Sequence, residues 1–335
     1  MKSLFFSKRI ITCIIIFLAG ALVGTATAFL LTQKAADADS TVPLRKKSGN
    51  LVFTSPLLAV GDLKRFRDYK ILETDIGRLI EERVAAKKAE KVSVYFRDLL
   101  RGRWMSVNED LYFNPASMLK VSILIAYFKS AESNPALLKD FIVYEGNDHL
   151  DIGNESNSSP EPIIKGKEYS IEDLLTRMIV YSDNNAKNLL FAALNKNSIK
   201  DVFTDLAFPE SFDTTDNTMS AKNLSLFFRV LFNSTYLNEN FSEEALRILS
   251  QTKFKDGLVG GVPNKIMVSH KFGHALVNDQ GTVKSELHDC GIVYYPNHPY
   301  LLCVMTKGKD PIELESVIQD ISAEVYMERE KEFGN

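Results

Sequence analysis

A dense apolar stretch constrains the fold of this chain more than any other feature. Apolar residues recur so closely over residues 118–128 that in a helix they would surround the whole cylinder instead of forming one stripe. A helix that is hydrophobic all round belongs in the interior of a sizeable domain. Pro115 just before this stretch and the string AESNP after it predict where the helix begins and ends. At 335 residues, the chain is long enough to build a core around such a helix.

The start of this helix carries the string Ser117-Met-Leu-Lys120. Side chains three residues apart share one helix face. A serine hydroxyl is a weak nucleophile until a base takes its proton, and burial of a lysine in an apolar wall can lower its pKa enough for that task. The helix N-terminus also favours developing negative charge. Taken alone, the string better fits a helix-capping serine beside a lysine that extends to solvent, because capping is the commoner use of such a serine.

A second polar string, Ser182-Asp183-Asn184, interrupts a helical region. The apolar spacing before it predicts one helix and the spacing after it predicts another, since Asp and Asn beside Ser suit a turn or a helix start. We expect the Ser182 hydroxyl and the Asn184 amide to lie on an exposed ledge between the two helices. There a hydroxyl can move a proton to a leaving amine and an amide can hold a substrate carbonyl. The alternative is an ordinary Asx-type turn.

The third string, Lys271-Phe272-Gly273, lies in a predicted strand over residues 266–277. A glycine inside a strand often marks the close approach of a ligand or of another backbone. Lys271 would add positive charge, and the amide after Gly273 would be free to donate to an oxyanion. A surface lysine beside a β-bulge glycine is the alternative interpretation.

In this order, the three strings resemble the Ser-x-x-Lys, Ser-Asp-Asn and Lys-Thr-Gly elements of the class A β-lactamase and penicillin-binding family. The resemblance extends over residues 90–330. It implies that Ser117 is the nucleophile that forms an acyl-enzyme. It also implies that Lys120 is the general base, directly or through water, and that Ser182 relays a proton to the departing nitrogen.

The same resemblance assigns substrate contacts to Asn184, Lys271 and Gly273. It implies an oxyanion hole formed by the backbone amides of Ser117 and His274, and loss of one such donor typically costs on the order of 10²–10³ in rate. The implied substrates are β-lactams or D-Ala-type peptidoglycan peptides. The resemblance implies no cofactor and no metal.

Two departures from the family pattern bear on activity. Phe272 occupies the position where the family has Thr or Ser, whose hydroxyl helps to hold a substrate carboxylate. Class A β-lactamases also carry a Glu-x-x-Leu-Asn string whose glutamate activates the hydrolytic water, and residues 185–213 contain no such string. Glu210 is the only glutamate in that segment, and its neighbours do not match. We therefore expect ready acylation and slow deacylation.

The N-terminus predicts a membrane segment. Three cations within residues 1–9 precede an uncharged run over 10–32, which is 23 residues and long enough to cross a bilayer. The positive-inside rule makes 1–9 a cytoplasmic stub, with a polar spacer over 33–50 and the catalytic domain over 51–335 outside the membrane. A signal peptide cleaved near residues 26–28, which would release the protein, is the alternative.

The composition of the chain limits the classes of partner and ligand that it can bind. With 40 Lys and Arg against 43 Asp and Glu, the formal net charge is −3, and no basic patch with aromatics points to nucleic acid. The three cysteines and five histidines do not form a metal-binding pattern. Cys290 and Cys303 lie on the two arms of a predicted hairpin. We interpret them as two small buried side chains, with a disulfide as the alternative.

The order of elements predicts an α/β (α+β) fold of two lobes. An amphipathic helix carrying Ile76 and Ile80 precedes strands over 91–97 and 104–107, and a mostly helical block follows over 115–252. Three further strands are predicted near 266–277, 287–295 and 300–306, and a helix over 311–328 closes the chain. The terminal helices would cover one face of an antiparallel sheet, with the site in the cleft between the lobes.

Two functions of different classes are compatible with these features. The first is a membrane-anchored, extracytoplasmic serine hydrolase acting on β-lactams or peptidoglycan-like peptides. The second is a catalytically quiet module that binds peptidoglycan or a protein partner, for which Phe272 is the main support. We favour the enzyme, because a pure binder has no need of Ser117, Lys120 and Ser182 together.

Overall fold

The computed structural model describes residues 44–45, 51–59, 69–146, 161–208 and 218–334. The predicted stub over 1–9 and the apolar segment over 10–32 lie outside these ranges, as does Glu210. Within the described part of the chain, no helix is both long and apolar enough to span a bilayer. Two residues of the predicted spacer pair with 57–59 as a small two-stranded sheet, so the spacer is not wholly irregular.

Elements are numbered here along the described chain. The strands are β1 (Leu44–Arg45), β2 (Leu57–Ala59), β3 (Lys91–Asp98), β4 (Trp104–Val107), β5 (Phe141–Val143), β6 (Glu168–Ser170), β7 (Val268–Asp279), β8 (Thr282–Val293) and β9 (Tyr300–Gly308). The α-helices are α1 (Lys70–Ala85), α2 (Lys120–Ser133), α3 (Ile171–Val180), α4 (Asn184–Ala193), α5 (Lys196–Asp205), α6 (Ala221–Asn233), α7 (Glu239–Leu249) and α8 (Pro311–Phe333). Short 3₁₀ turns include Ala116–Leu119 and Leu258–Gly261.

Five strands form one antiparallel sheet in the order β4-β3-β9-β8-β7, which leaves β7 at an edge. All five strands are predicted from the sequence, although β8 begins at Thr282 and not near residue 287. The missed residues, 282–286, are mostly polar and therefore lack the apolar run that marks a buried strand. Positive φ angles at Gln280 and Gly281 make the tight turn between β7 and β8.

The two terminal helices cover one face of this sheet, as predicted. Leu72, Ile76 and Ile80 of α1 pack with apolar residues of α8 and with the inward side chains of the central strands. The opposite face packs against the helical lobe, whose centre is α2. Every residue of that helix from 120 to 128 is buried, which confirms the interior helix expected from its apolar sequence. The two-lobed α/β fold is therefore confirmed.

Several helices begin where a short polar side chain can accept a hydrogen bond from a free backbone amide. Such caps lower the cost of starting a helix. The capping residues are Ser170, Asp183, Asn195, Ser220, Asn238 and Asp310.

The last helix continues to Phe333, five residues beyond the predicted end, because Arg329 is fully buried. Its guanidinium donates to Asp98 at 2.9 Å, to Tyr69 at 3.0 Å and to Glu332 at 2.9 Å. A buried charge needs such pairing to offset its lost hydration. The pair of Arg329 and Asp98 joins the C-terminal helix to the end of β3.

One carboxylate holds the N-terminal segment of the domain. Glu243 of α7 accepts hydrogen bonds from the amides of Val52, Phe53 and Thr54, and a fourth from the Thr54 hydroxyl at 2.9 Å. The Phe53 ring packs edge-on against Tyr294 at 5.5 Å. We call residues 52–54 with Glu243 the clasp.

Cys290 of β8 and Cys303 of β9 are direct cross-strand partners with Cα atoms 4.0 Å apart, and they form a disulfide. The preferred interpretation, two unlinked buried side chains, was therefore wrong. Both cysteines are buried. The sequence could not fix this, because only strand register determines whether the two side chains face each other.

Candidate active site

Ser117 lies in the 3₁₀ turn Ala116–Leu119, directly before the buried helix α2. It is half-buried, and the residue before it, Ala116, has a positive φ of 48°. A non-glycine residue rarely adopts that conformation unless its surroundings impose it, and such positions cluster at functional sites. Here the Ala116 amide donates to the Asn114 side chain at 2.9 Å, which helps to fix the turn.

Asn114 is in turn held by strand β8. Its amide donates to Glu286 at 2.8 Å, and its carbonyl accepts from Nε2 of His288 at 3.0 Å. The amide of Thr306 donates to Nδ1 of the same ring at 3.2 Å, so the neutral Nε2–H tautomer satisfies both bonds. Burial lowers the pKa of His288 to about 4, which keeps the ring neutral near pH 7. The backbone of Asn114, three residues before Ser117, is therefore held at both its amide and its carbonyl.

Lys120 points into the protein interior and is only 2% exposed. Its Nζ donates to the Ser182 carbonyl at 2.6 Å, to the Ser182 hydroxyl at 3.0 Å and to Oδ1 of Asn184 at 2.8 Å. This geometry excludes the alternative of a lysine that extends to solvent. The structure therefore brings the first and second strings together through one amine.

Ser182 occupies the break between α3 and α4 and has a positive φ of 55°. Its side chain is completely buried, so the expected exposed ledge was wrong: Lys120 and Lys271 both reach over its hydroxyl. Asp183, the middle residue of the string, caps α4 by accepting from the amides of Asn185 and Ala186. The Asx-turn interpretation thus describes Asp183, while the residues on either side of it contact Lys120.

Lys271 comes from the edge strand β7 and is fully buried. Its Nζ donates to the Ser182 hydroxyl at 3.0 Å and to the Phe272 carbonyl at 2.8 Å, which excludes a surface lysine. Two lysine amines thus lie 3.0 Å from a single serine hydroxyl. A hydroxyl between two amines can accept a proton from one side and donate from the other.

Gly273 lets β7 approach the turn that carries Ser117. A Cβ atom at this position would lie 2.8 Å from the Pro115 carbonyl oxygen and 3.1 Å from the Met118 amide nitrogen, which is too close for any side chain. The glycine therefore reports close approach of another backbone, one of the two interpretations that its position in a strand allowed. His274, the next residue, is half-buried and its ring lies 3.4 Å from the Ser285 hydroxyl.

Several residues around this site were not anticipated. Asn114, Glu286 and His288 carry no local pattern that would mark them, because their contacts depend on strand pairing across the sheet. His270 is buried and its Nδ1 contacts Asp289 at 2.9 Å. Among the residues that the structure describes, no group of three or more His, Cys, Asp or Glu side chains could hold a metal ion.

Comparison with known proteins agrees with this geometry. A family model described as the beta-lactamase enzyme family matches residues 72–328. No curated protein matches the chain. Among solved structures, the chain is similar to PBP-A, with 22% identity, a TM-score of 0.66 and coverage of 80% of this chain and 98% of that one.

Two further solved structures are similar over comparable lengths. A variant of PBP-A in an acyl-enzyme complex with penicillin G has 24% identity and a TM-score of 0.64, with 80% of this chain and 100% of that chain covered. The TLA-3 extended-spectrum β-lactamase has 19% identity and a TM-score of 0.67, with 78% and 99% covered. At these identities the likeness concerns the fold, whereas the family model covers most of the chain. The chain belongs to the β-lactamase enzyme family, and its fold is that of a β-lactamase-like serine hydrolase.

Proposed function

We propose that the protein is an acyl-transferring serine hydrolase in which Ser117 forms an acyl-enzyme with β-lactams or D-Ala-type peptides. One observation carries the proposal: Lys120 and Lys271 converge on the buried hydroxyl of Ser182, and Gly273 packs against the turn that bears Ser117. Amines, hydroxyls and a strained serine turn at one place are the groups that acyl transfer requires.

In the proposed reaction, Lys120 is neutral and donates to two of its three contacts, and its lone pair takes the proton of the Ser117 hydroxyl as Oγ bonds to the substrate carbonyl carbon. The tetrahedral intermediate then collapses and its C–N bond breaks. The departing nitrogen takes a proton from the Ser182 hydroxyl, which is reprotonated by the Lys120 ammonium 3.0 Å away. One proton thus passes from nucleophile to leaving group, with no net change in the enzyme's charge.

The developing oxyanion would be held by the backbone amides of Ser117 and His274. Gly273 supports this assignment, since it keeps β7 against the nucleophile turn. Donors fixed before the reaction stabilise charge without reorganisation, which makes such holes a large contribution to acyl transfer. Asn184, which contacts Lys120 at 2.8 Å, and Lys271 would orient the substrate.

We further propose that deacylation is slow. The support is the absence of a Glu-x-x-Leu-Asn string from residues 185–213, so that no recognisable base for the hydrolytic water is supplied there. The carboxylates on helix α5 are those of Asp201 and Asp205, and Asp205 already accepts a hydrogen bond from the Tyr236 hydroxyl at 2.8 Å. The proposed behaviour is a lasting acyl-enzyme with β-lactams and D,D-peptidase-like turnover of peptides. The penicillin G acyl-enzyme of the PBP-A variant makes penicillin G the first compound to try.

Intact-mass spectrometry of the full chain, sampled over time after mixing with penicillin G, tests both steps. The expected result is an adduct of one penicillin mass that persists for hours in the wild type. The Ser117→Ala variant should show no adduct, and Ser122→Ala, a change at a buried serine of helix α2, should leave the adduct unchanged. An adduct on Ser117→Ala would contradict the assigned nucleophile.

Other outcomes separate the alternatives. A transient adduct with steady drug consumption would mean a working β-lactamase and would overturn slow deacylation. No adduct with several penicillins, cephalosporins and D-Ala peptides would overturn the enzymatic proposal and favour the quiet binding module. In that case Ser117→Ala should also leave the biological role of the protein intact.

We propose, finally, that residues 10–32 hold the domain outside the cell membrane. The support is the 23-residue uncharged run after three cations. The mass of the protein recovered from membranes tests this. The full chain mass in the membrane fraction, with protease access from outside only, is expected. A chain that begins near residue 28 in the soluble fraction would identify a cleaved signal instead.

A further inference from the structure

Two residues in the loop after α7 join the strand that carries Lys271 to the helix that ends beside Ser182. They are Thr252, whose side chain is completely buried, and Lys253, which is exposed. A buried hydroxyl must find a hydrogen-bond partner inside the protein, so its contacts report which parts of the fold it holds together. We call Thr252 and Lys253 the brace.

On the sheet side, Thr252 contacts the outer edge of β7. Residues two apart on an antiparallel strand direct their backbone groups to the same side. At this edge the Phe272 carbonyl accepts from Nζ of Lys271 at 2.8 Å. The His270 carbonyl, two residues earlier, accepts from the Thr252 hydroxyl at 2.8 Å. The same hydroxyl lies 2.9 Å from the Leu249 carbonyl, so its one proton is shared between β7 and the end of α7. Thr252 thus holds the backbone directly before Lys271.

On the helix side, the backbone amide of Lys253 donates to the Val180 carbonyl at 3.0 Å. Val180 is the last residue of α3 and comes two residues before Ser182. The hydroxyl of Ser182 in turn accepts from Nζ of Lys271 at 3.0 Å. The brace and the Lys271–Ser182 contact therefore join the same two parts of the fold, the edge of β7 and the end of α3. The brace limits how far these two parts can separate.

The distance between Lys271 and Ser182 matters in the second half of the proposed reaction. When the C–N bond breaks, the Ser182 hydroxyl gives its proton to the departing nitrogen, and its oxygen carries negative charge until Lys120 reprotonates it. The Lys271 ammonium, 3.0 Å away, stabilises that charge. This stabilisation is stronger in a buried site than in water, because the effective dielectric constant is lower. A shift of β7 away from α3 would weaken it.

Resting on the proposed acyl-transfer function, we propose that Thr252 is a positioning residue for proton delivery to the leaving group. It holds the His270 carbonyl, while the amide of the next residue holds α3, and together they keep Lys271 against Ser182. The donors that depend on the brace are amides and β-lactams, because their nitrogen must be protonated as it leaves. A thioester does not depend on it. Its C–S bond breaks to release a thiolate, and the proton that Lys120 took from Ser117 passes to water.

Two donors with the same acyl group test the proposal: a D-Ala-type peptide and its thioester analogue. The rate of leaving-group release is measured in a single turnover with the enzyme in excess, so that slow deacylation does not mask it. Thr252→Val replaces the hydroxyl with a methyl group. Its rate with the amide should fall about 10-fold or more, because a misplaced catalytic group can cost on the order of 100-fold. Its rate with the thioester should stay close to that of the wild type.

Three further variants complete the comparison. Thr252→Ser keeps the hydroxyl and should restore the rate with the amide. Thr176→Val removes a hydroxyl of α3 that donates to the Glu172 carbonyl of the same helix at 3.0 Å, and it should change neither rate. Lys253→Pro removes the amide that bonds Val180 and leaves Thr252 in place. It should slow the amide and spare the thioester, so the test stands even if Thr252→Val does not fold.

The outcomes separate the brace from the chemistry. Equal losses with the two donors, or no loss with the amide, would overturn the role of the brace and leave the acyl-transfer function standing. No release of either leaving group by the wild type would overturn the acyl-transfer function itself. A crystal structure of Thr252→Val checks the positioning without any reaction. The distance from Nζ of Lys271 to the Ser182 hydroxyl should exceed 3.0 Å, and an unchanged contact would contradict the proposal.

Discussion

His288 on the sheet donates a hydrogen bond from Nε2 to the carbonyl of Asn114, 3.0 Å away and three residues before the proposed nucleophile Ser117. A buried, neutral imidazole thus joins the sheet to the turn on which acylation would depend. Glu286 also accepts a hydrogen bond from the backbone amide of Asn114. Backbone hydrogen bonds as well as apolar packing therefore fix the position of this turn relative to the sheet. The bond also makes the turn sensitive to the charge of one ring.

The stability of the protein should therefore fall in acid through His288. Its pKa is about 4 when folded and near 6.5 when unfolded, so below pH 6.5 the unfolded state binds a proton that the folded state refuses. The contribution of neutral His288 to the free energy of unfolding is fully present above pH 6.5 and is lost as the pH falls toward 4. At 1.36 kcal/mol per pKa unit, the loss by pH 4 is about 3 kcal/mol. Urea unfolding at pH 7.5 and pH 4.5 measures it.

Carboxylates also titrate in that range, so the comparison needs a variant. His288→Gln keeps a donor for Asn114 and does not titrate, and its free energy of unfolding should fall less between the two pH values than that of the wild type. Equal losses in the two proteins would show that His288 does not carry the effect.

Replacing Gly273 should damage acylation more than stability. The Cβ atom of Gly273→Ala would press on the Pro115 carbonyl and the Met118 amide, so the turn bearing Ser117 must move. A displacement of about 1 Å in such a group can cost on the order of 100-fold in rate. Adduct formation with penicillin G measures it. Gly77→Ala, where a Cβ atom meets nothing within 4 Å, is the matched control and should leave the rate unchanged.

Removing Arg329 should destabilise the whole domain. Arg329→Met leaves the buried Asp98 carboxylate without its guanidinium partner, and breaking a buried pair in this way costs about 3–5 kcal/mol. Arg78→Met breaks an exposed pair with Asp75 and should cost less than about 1 kcal/mol. Urea unfolding compares the two. A small effect at Arg329 would mean that Asp98 is satisfied by the amides of Leu100 and Arg101, which it also accepts.

The site residues that could be predicted from the sequence are those that belong to a short motif or to a local apolar pattern. Ser117, Lys120 and Ser182 stand in short strings with recognisable spacing, and the apolar pattern marked α2 and the five strands of the sheet. The start of β8 and the end of α8 were not predicted, because the residues there are mostly polar although they belong to regular structure. Arg329 is the clearest case, because an arginine near a charged C-terminus ordinarily indicates solvent exposure.

Residues that depend on register or on distant loops could not be found in this way. His288 and Asn114 are 174 positions apart, and Glu243 lies about as far from the segment that it binds. Chain-distant pairs of this kind leave no periodic signal in either partner.

Loosening the clasp should show in hydrogen exchange. Glu243→Gln replaces a carboxylate that accepts four bonds with a neutral amide that has one acceptor oxygen, so the amides of residues 52–54 should exchange faster. A hydrogen bond to a charged group contributes about 1.5–3 kcal/mol, which corresponds to about 10–100-fold in exchange rate. Glu244→Gln, which breaks only an exposed pair with Arg247, should leave these amides unaffected.

The clasp also decides where a mechanical load enters the domain. Tension on the chain before Val52 meets one carboxylate that holds three successive amides and a hydroxyl, and all four bonds share the load. That carboxylate belongs to α7, so part of a pull from the N-terminal side enters the helical lobe, and part reaches the end of β8 through Phe53, whose carbonyl accepts from the Tyr294 hydroxyl at 3.2 Å.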